Sequence, residues 1–195
     1  MPPRGNAFVR GQLYHVYNRA AAQDQLFYHH GNYLHCLRLT KKFSLRYGVA
    51  VMAYCLMPNH YHFLLRQEHD IHISKFVNVL FNAYVQAVNR EQGRKGTMFE
   101  SRFRYVHVDR DEYARYLCRY IHLNPKAATL VNDPAEWPYS NYLEFIGARA
   151  GQLMDYDFMR QHWSTAEVYE QFVENAPGTR IAGFVPAGGW DSLDL

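Results

Sequence analysis

Residues 49–66 read Val49-Ala50-Val51-Met52-Ala53-Tyr54-Cys55-Leu56-Met57-Pro58-Asn59-His60-Tyr61-His62-Phe63-Leu64-Leu65-Arg66. The stretch to Met57 is a continuous apolar run, suited to a buried strand. Pro58-Asn59 reads as a tight turn, and His60 to Arg66 returns as the second arm of a hairpin. Successive side chains of a strand point to opposite faces, so His60 and His62 share one face. Two neighbouring imidazoles can hold a divalent metal ion. With 11 His in 195 residues, chance alone supplies such pairs, and the surroundings must carry the assignment.

Working outward, Gln12 to Asn18 is rich in strand formers and predicts a first strand. Asn32 can cap a helix that runs to Tyr47-Gly48. On the other side of the hairpin, Ser74 can cap a long helix in which Phe76, Val77, Leu80, Phe81, Tyr84, Val85 and Val88 recur at spacings of three and four. After the basic loop Gly93-Arg94-Lys95-Gly96, residues Arg102 to Val108 alternate sufficiently for a fourth strand. Asp109 with Glu112 resembles a capping box opening a further helix, which Pro125 is expected to end at Asn124. The order strand, helix, strand, strand, helix, strand, helix predicts an α+β fold, a ferredoxin-like antiparallel sheet with helices packed on it. Residues 1–133 would form this domain. Residues 134–195 would be a C-terminal extension packed on it or reaching over it, helical from Ser164 to about Asn175 and extended or mobile at the end.

Composition narrows the function classes. The chain is 48% hydrophobic, enough for one buried core. A formal charge of +3 permits a polyanionic partner only through a local basic surface. Cys36, Cys55 and Cys118 are odd in number and far apart, which argues against a disulfide framework and a paired-cysteine zinc site, and points to a reducing compartment. No apolar leader or membrane-length run is present, so a cytoplasmic protein is expected.

Tyr120 and Asn124 stand at i and i+4 of the last predicted helix, placing a phenol and an amide oxygen on one face. Packed over the sheet, both could reach the histidines. Here the sequence resembles the HUH single-tyrosine transposases, in particular the REP-associated tyrosine transposases related to those of small bacterial insertion sequences. Met57-Pro58-Asn59-His60-Tyr61-His62 and Arg119-Tyr120-Ile121-His122-Leu123-Asn124-Pro125 carry the resemblance. Trp137-Pro138-Tyr139-Ser140-Asn141-Tyr142 and Tyr169-x-x-Phe172-Val173 extend it. It implies His60 and His62 as metal ligands, Asn124 as a third ligand where relatives tend to carry glutamine, and Tyr120 as nucleophile.

The same resemblance implies cleavage and rejoining of single-stranded, hairpin-bearing DNA through a 5′-phosphotyrosine, with Mg²⁺ or Mn²⁺ as cofactor. The rival reading is a hairpin-binding protein of the same descent that does not cleave. Resembling proteins include dimers that exchange the tyrosine helix and monomers, so a homodimer and a monomer both stay open. Arg94, Lys95, Arg102 and Arg104 interleave with aromatic residues, the pattern of a nucleic-acid surface, although a solvated strand face would look the same. Lys126 lies close enough in sequence to Asn124 to meet a phosphate. His15 on the first strand could face the site, but a packed histidine is the plainer reading.

Overall fold

The computed structural model describes residues 8–175. Strand β1 spans Leu13–Arg19, helix α1 His30–Tyr47, β2 Val49–Met57, β3 His60–Gln67, α2 Ile73–Glu91, β4 Arg104–Val108 and α3 Asp111–Ala127. Three shorter helices follow: α4 Tyr142–Phe145, α5 Tyr156–His162 and α6 Ala166–Glu174. The strands form one sheet in the order β2-β3-β1-β4 with every neighbouring pair antiparallel. This is the ferredoxin-like arrangement expected from the order of elements. The C-terminal end expected to be extended or mobile lies, beyond Asn175, outside the described residues.

The two sheet faces bury different partners. Val16, Tyr54, Leu56, Tyr61, Phe63 and Leu65 pack against α1 and α2. Tyr61, between the two histidines, stacks on Phe81 of α2 with ring centroids 4.1 Å apart. Full burial of each such side chain stabilises the fold by about 1.5–3 kcal/mol, and the two-residue period then obliges His60 and His62 to face the other way. On that other face, Cys55, Met57 and Leu64 meet Leu117, Cys118 and Ile121 of α3, together with Trp163 and Tyr169 from the C-terminal segment.

Several boundaries differ from expectation for identifiable reasons. The N-cap of α1 is His29, whose side chain accepts from the Gly31 amide. Asn32 instead accepts from the Tyr28 amide and donates to Glu91. The N-cap of α2 is His72 rather than Ser74, and it makes no side-chain cap bond. Helix α3 begins after Arg110 without a side-chain cap, so no capping box forms; Asp111 and Glu112 instead place negative charge in its first turn. Pro125 lies inside α3 rather than ending it. Proline removes only its own N–H, which near a helix end costs one bond, and the ladder resumes with Ala128 N–H donating to the Asn124 carbonyl at 2.9 Å. Gly48, as expected, closes α1 at φ +60°, where an added Cβ would fall 1.6 Å from the His69 ring.

Among its described residues the C-terminal segment contains three α-helices where one was expected, and it also closes an open sheet edge. Leu56 N–H donates to the Tyr139 carbonyl at 2.9 Å. The Asn141 side chain accepts from Tyr54 N–H at 2.7 Å and donates to the Met52 carbonyl at 3.0 Å. Its amide thus stands in for strand backbone along β2 and protects an edge that would otherwise invite pairing with another chain.

Candidate active site

The hairpin turn that leads into His60 is held from outside. The Pro58 carbonyl accepts from the amides of Leu26 at 2.7 Å and Phe27 at 3.1 Å. The register then sets His60 opposite Arg19 and Met57, and His62 opposite Tyr17 and Cys55. Helix α3 crosses this face and brings Tyr120 and Asn124 onto the histidines. The Tyr120 ring stands edge-on to His62, centroids 5.3 Å apart at 82°. The Asn124 Oδ1 lies 3.2 Å from His60 Nε2.

Hydrogen-bond logic assigns the donors. Asn124 Nδ2 donates to the Tyr120 carbonyl at 3.0 Å, which turns its Oδ1 toward His60. His60 meets two acceptors, Asn59 Oδ1 at 2.8 Å from Nδ1 and Asn124 Oδ1 from Nε2, and a neutral ring donates to only one of them. In the tautomer with the proton on Nδ1, the Nε2 lone pair faces the lone pairs of Asn124 Oδ1, and two acceptors at that distance require a proton or a cation between them. His62 is fully buried, and among the described residues its Nε2 has no hydrogen-bond partner. Burial holds the His60 ring below its usual range, opposed by the Asn124 bond, and holds His62 well below it, reinforced by repulsion from His60 and His15. Neutral imidazoles with an orphaned buried nitrogen and a facing amide oxygen fit a divalent cation. Among the described residues no three His, Cys, Asp or Glu side chains cluster as a metal site.

His15 also belongs to this constellation. It is fully buried, stacks on His62 with centroids 5.2 Å apart, and its Nε2 lies 3.0 Å from His62 Nδ1. Burial lowers it to about 3. From sequence alone a packed or solvent-bonded histidine is the plainer expectation, because the His62 ring that it meets lies 47 residues away in the chain. The phenol of Tyr120 is raised above its ordinary value by burial, with the Asn124 hydrogen bond opposing the rise.

The basic residues do not converge as one surface. Arg104 opens β4 opposite Tyr17, on the histidine face, and its charge partly offsets the rise that burial imposes on the Tyr17 hydroxyl. Lys126 is exposed two residues beyond Asn124. Arg94 is ion-paired to Asp24 at 2.6 Å before α1, while Lys95 is exposed in the neighbouring loop. Arg102 lies before β4, which begins at Arg104 rather than at Arg102 as expected. The preceding segment is held by the bridge of Ala20 with Phe99 and by Asn18 donating to the Ser101 carbonyl at 3.0 Å, so ladder pairing starts only at Arg104.

Among the described residues no helix is long and apolar enough to cross a membrane. No curated protein matches the chain. Among solved structures, a REP-associated tyrosine transposase bound to a REP hairpin superposes with a TM-score of 0.65 at 17% identity, covering 80% of this chain and 94% of that one. A transposase candidate from Deinococcus radiodurans R1 superposes with a TM-score of 0.43 at 18% identity, covering 61% of this chain and 95% of that one. The family model described as IS200-like transposase matches residues 8–124, a span that runs from Phe8, five residues ahead of β1, through the histidine pair to Tyr120 and Asn124. The chain belongs to the IS200-like transposase family.

Proposed function

We propose that the protein cleaves and rejoins single-stranded DNA beside a hairpin, with Tyr120 as nucleophile and a divalent cation, Mg²⁺ or Mn²⁺, held by His60, His62 and Asn124. The carrying observation is the convergence of two distant stretches of chain. The Tyr120 ring lies against His62, and the Asn124 oxygen 3.2 Å from His60 Nε2. The solved REP-associated relative is bound to a REP hairpin, which supports a hairpin as the folded part of the substrate.

The cation's contribution when bound is Lewis-acid polarisation of the scissile phosphate. The chain's own groups do the rest. Tyr120 Oη attacks phosphorus and gives up its proton, the P–O3′ bond breaks, and the departing 3′ oxygen takes a proton. The product is a 5′-phosphotyrosine and a free 3′-hydroxyl. Because the phosphodiester is retained in the adduct, a second 3′-hydroxyl can reverse the step without an external energy source. Burial raises the Tyr120 hydroxyl, so at neutral pH the phenol rests protonated and ionises only with positive charge nearby. Arg104 and Lys126 flank the histidine face and would receive backbone phosphates, with Arg102, Lys95 and Arg94 farther along the strand. Residues 134–175 would serve as an extension that braces α3.

The test is incubation with labelled hairpin-bearing single-stranded DNA and Mn²⁺, followed by denaturing electrophoresis. A protein–DNA adduct that disappears in Tyr120→Phe supports the reading. Hairpin binding that persists with no adduct at any Mn²⁺ or Mg²⁺ concentration refutes cleavage and leaves a binding protein.

A further inference from the structure

One cross-strand row runs over the histidine face of the sheet. His62 on β3 lies opposite Tyr17 on β1, and Tyr17 lies opposite Arg104 on β4. Residues directly opposite one another on antiparallel strands point to the same side, so an imidazole, a phenol and a guanidinium follow one another across three strands. The ring contacts agree with that register. Tyr17 stacks on His15 with centroids 4.9 Å apart and lies 6.0 Å from the His62 ring. Its hydroxyl is within hydrogen-bonding reach of the Arg104 side chain, a guanidinium donating to a phenolic oxygen.

The stacking needs only a ring at position 17, which a phenylalanine would supply, so the hydroxyl calls for its own account. Arg104 is exposed on an edge strand. A long side chain in that setting samples many rotamers, and a phenolic oxygen beside it selects one direction. Neighbouring strands lie about 4.8 Å apart, which puts the Arg104 backbone about 10 Å from that of His62. An arginine side chain turned inward along the row covers much of that gap, and a phosphate at the histidines fills the rest. The other guanidinium on this face, Arg19 opposite His60, is engaged by the Glu100 carboxylate. Tyr17 is also close enough to Tyr120 for the two phenols to act on each other electrostatically, which sets the row beside the attacking oxygen.

We propose that Tyr17 is a positioning residue that, by accepting from Arg104, aims its guanidinium at the non-bridging oxygens of the phosphate that Tyr120 attacks. The inference rests on the cleavage reading given above and adds which side chain grips the reacting phosphate and what orients it. As the tyrosine oxygen adds and the 3′ oxygen departs, negative charge shifts among the oxygens on phosphorus. A guanidinium already in place stabilises that charge without having to reorganise, and its fork of N–H groups matches two oxygens at once. Arginine carries five N–H donors, enough to hold the phenol and a phosphate together. Tyr17 itself forms no bond to DNA and moves no proton in the step. Its contribution is orientation.

The first measurement uses full-length protein without metal or DNA. NMR relaxation of the arginine side-chain nitrogens finds Arg104 Nε ordered in the unaltered protein and averaged in Tyr17→Phe, which keeps the ring that stacks on His15. The second is single-turnover adduct formation on a labelled hairpin-bearing oligonucleotide at saturating DNA and Mn²⁺. Arg104→Ala slows it about 100-fold and Tyr17→Phe about 10- to 100-fold, while Tyr17→Phe binds oligonucleotide and Mn²⁺ within about threefold of the unaltered protein. The double variant is no slower than Arg104→Ala, because Tyr17 acts only through that residue, whereas independent structural losses would multiply. An Arg104 that stays ordered in Tyr17→Phe, an adduct rate within about twofold of the original, losses that multiply, or a loss traced to Mn²⁺ affinity overturns the Tyr17 assignment while cleavage by Tyr120 stands. If the unaltered protein forms no adduct, the cleavage reading falls and the Tyr17 assignment with it.

Discussion

Replacing His15 tests whether the buried imidazole behind the pair sets the metal-binding form of His62. A neutral His62 carries one proton on its two ring nitrogens. With the proton on Nδ1, donated to His15 Nε2 across 3.0 Å, the orphaned Nε2 presents a lone pair. With the proton donated from His15 instead, Nε2 carries hydrogen into the site and cannot hold a cation. His15→Phe keeps a flat ring that can stack on His62 but removes the acceptor that favours the first form. Loss of a partner behind a metal-ligating histidine typically lowers metal affinity by about 10- to 100-fold, which is about 1.4–2.7 kcal/mol. That range matches the roughly 1–3 kcal/mol cost of leaving a buried polar group unmatched. The assay is Mn²⁺ titration followed by the electron paramagnetic resonance signal of the free ion, which needs neither DNA nor turnover. His15→Gln, whose amide oxygen can still accept, should recover most of the affinity. A folded His15→Phe protein that binds Mn²⁺ within about twofold of the original would refute the reasoning, because the tautomer would then be set by something else.

Other consequences follow from the same geometry. His122 is fully buried, accepts from the Tyr169 hydroxyl and donates from Nε2 to Asn141 Oδ1 at 2.9 Å. Tyr169→Phe should therefore cost about 1–3 kcal/mol in urea unfolding, since the His122 acceptor stays buried. Burial lowers His122 from 6.5 to about 4. A depressed histidine contributes its full stability above pH about 6.5, and that contribution is lost as pH falls toward 4, roughly 3 kcal/mol in all. His122→Phe should flatten that part of the stability profile measured by chemical denaturation, and an unchanged slope would count against it. Tyr61→Ala removes the ring stacked on Phe81 and should cost about 3–5 kcal/mol by thermal or urea melting; a loss under 1 kcal/mol would show that the site's orientation does not depend on this anchor.

Much of the sheet was legible because its signals are local. The apolar run Val49 to Met57 and the Pro58-Asn59 turn delimit β2 as observed, and α2 follows its stripe from Phe76 to Val88. Helix starts were less legible, because His29, His72 and Arg110 cap without the preferred side chains. The pairing of Tyr120 and Asn124 with the histidines was readable as spacing on a helix, whereas the role of His15 depends on cross-strand register, which one sequence does not display. Of the C-terminal helices, α6 lies within the helical stretch expected from Ser164 to about Asn175, whereas α4 and α5 escaped notice because four and seven residues hold too few turns for a periodic stripe. Their placement comes instead from Trp163 and Tyr169 packing on α3.

Tyr61 gives β3 a parity. Because its ring is keyed into α2 while its two neighbours face α3, an insertion or deletion of one residue between the turn and Phe63 would exchange the roles of the two surfaces in a single step. Loops elsewhere can lengthen gradually, but this strand tolerates changes of length only in pairs.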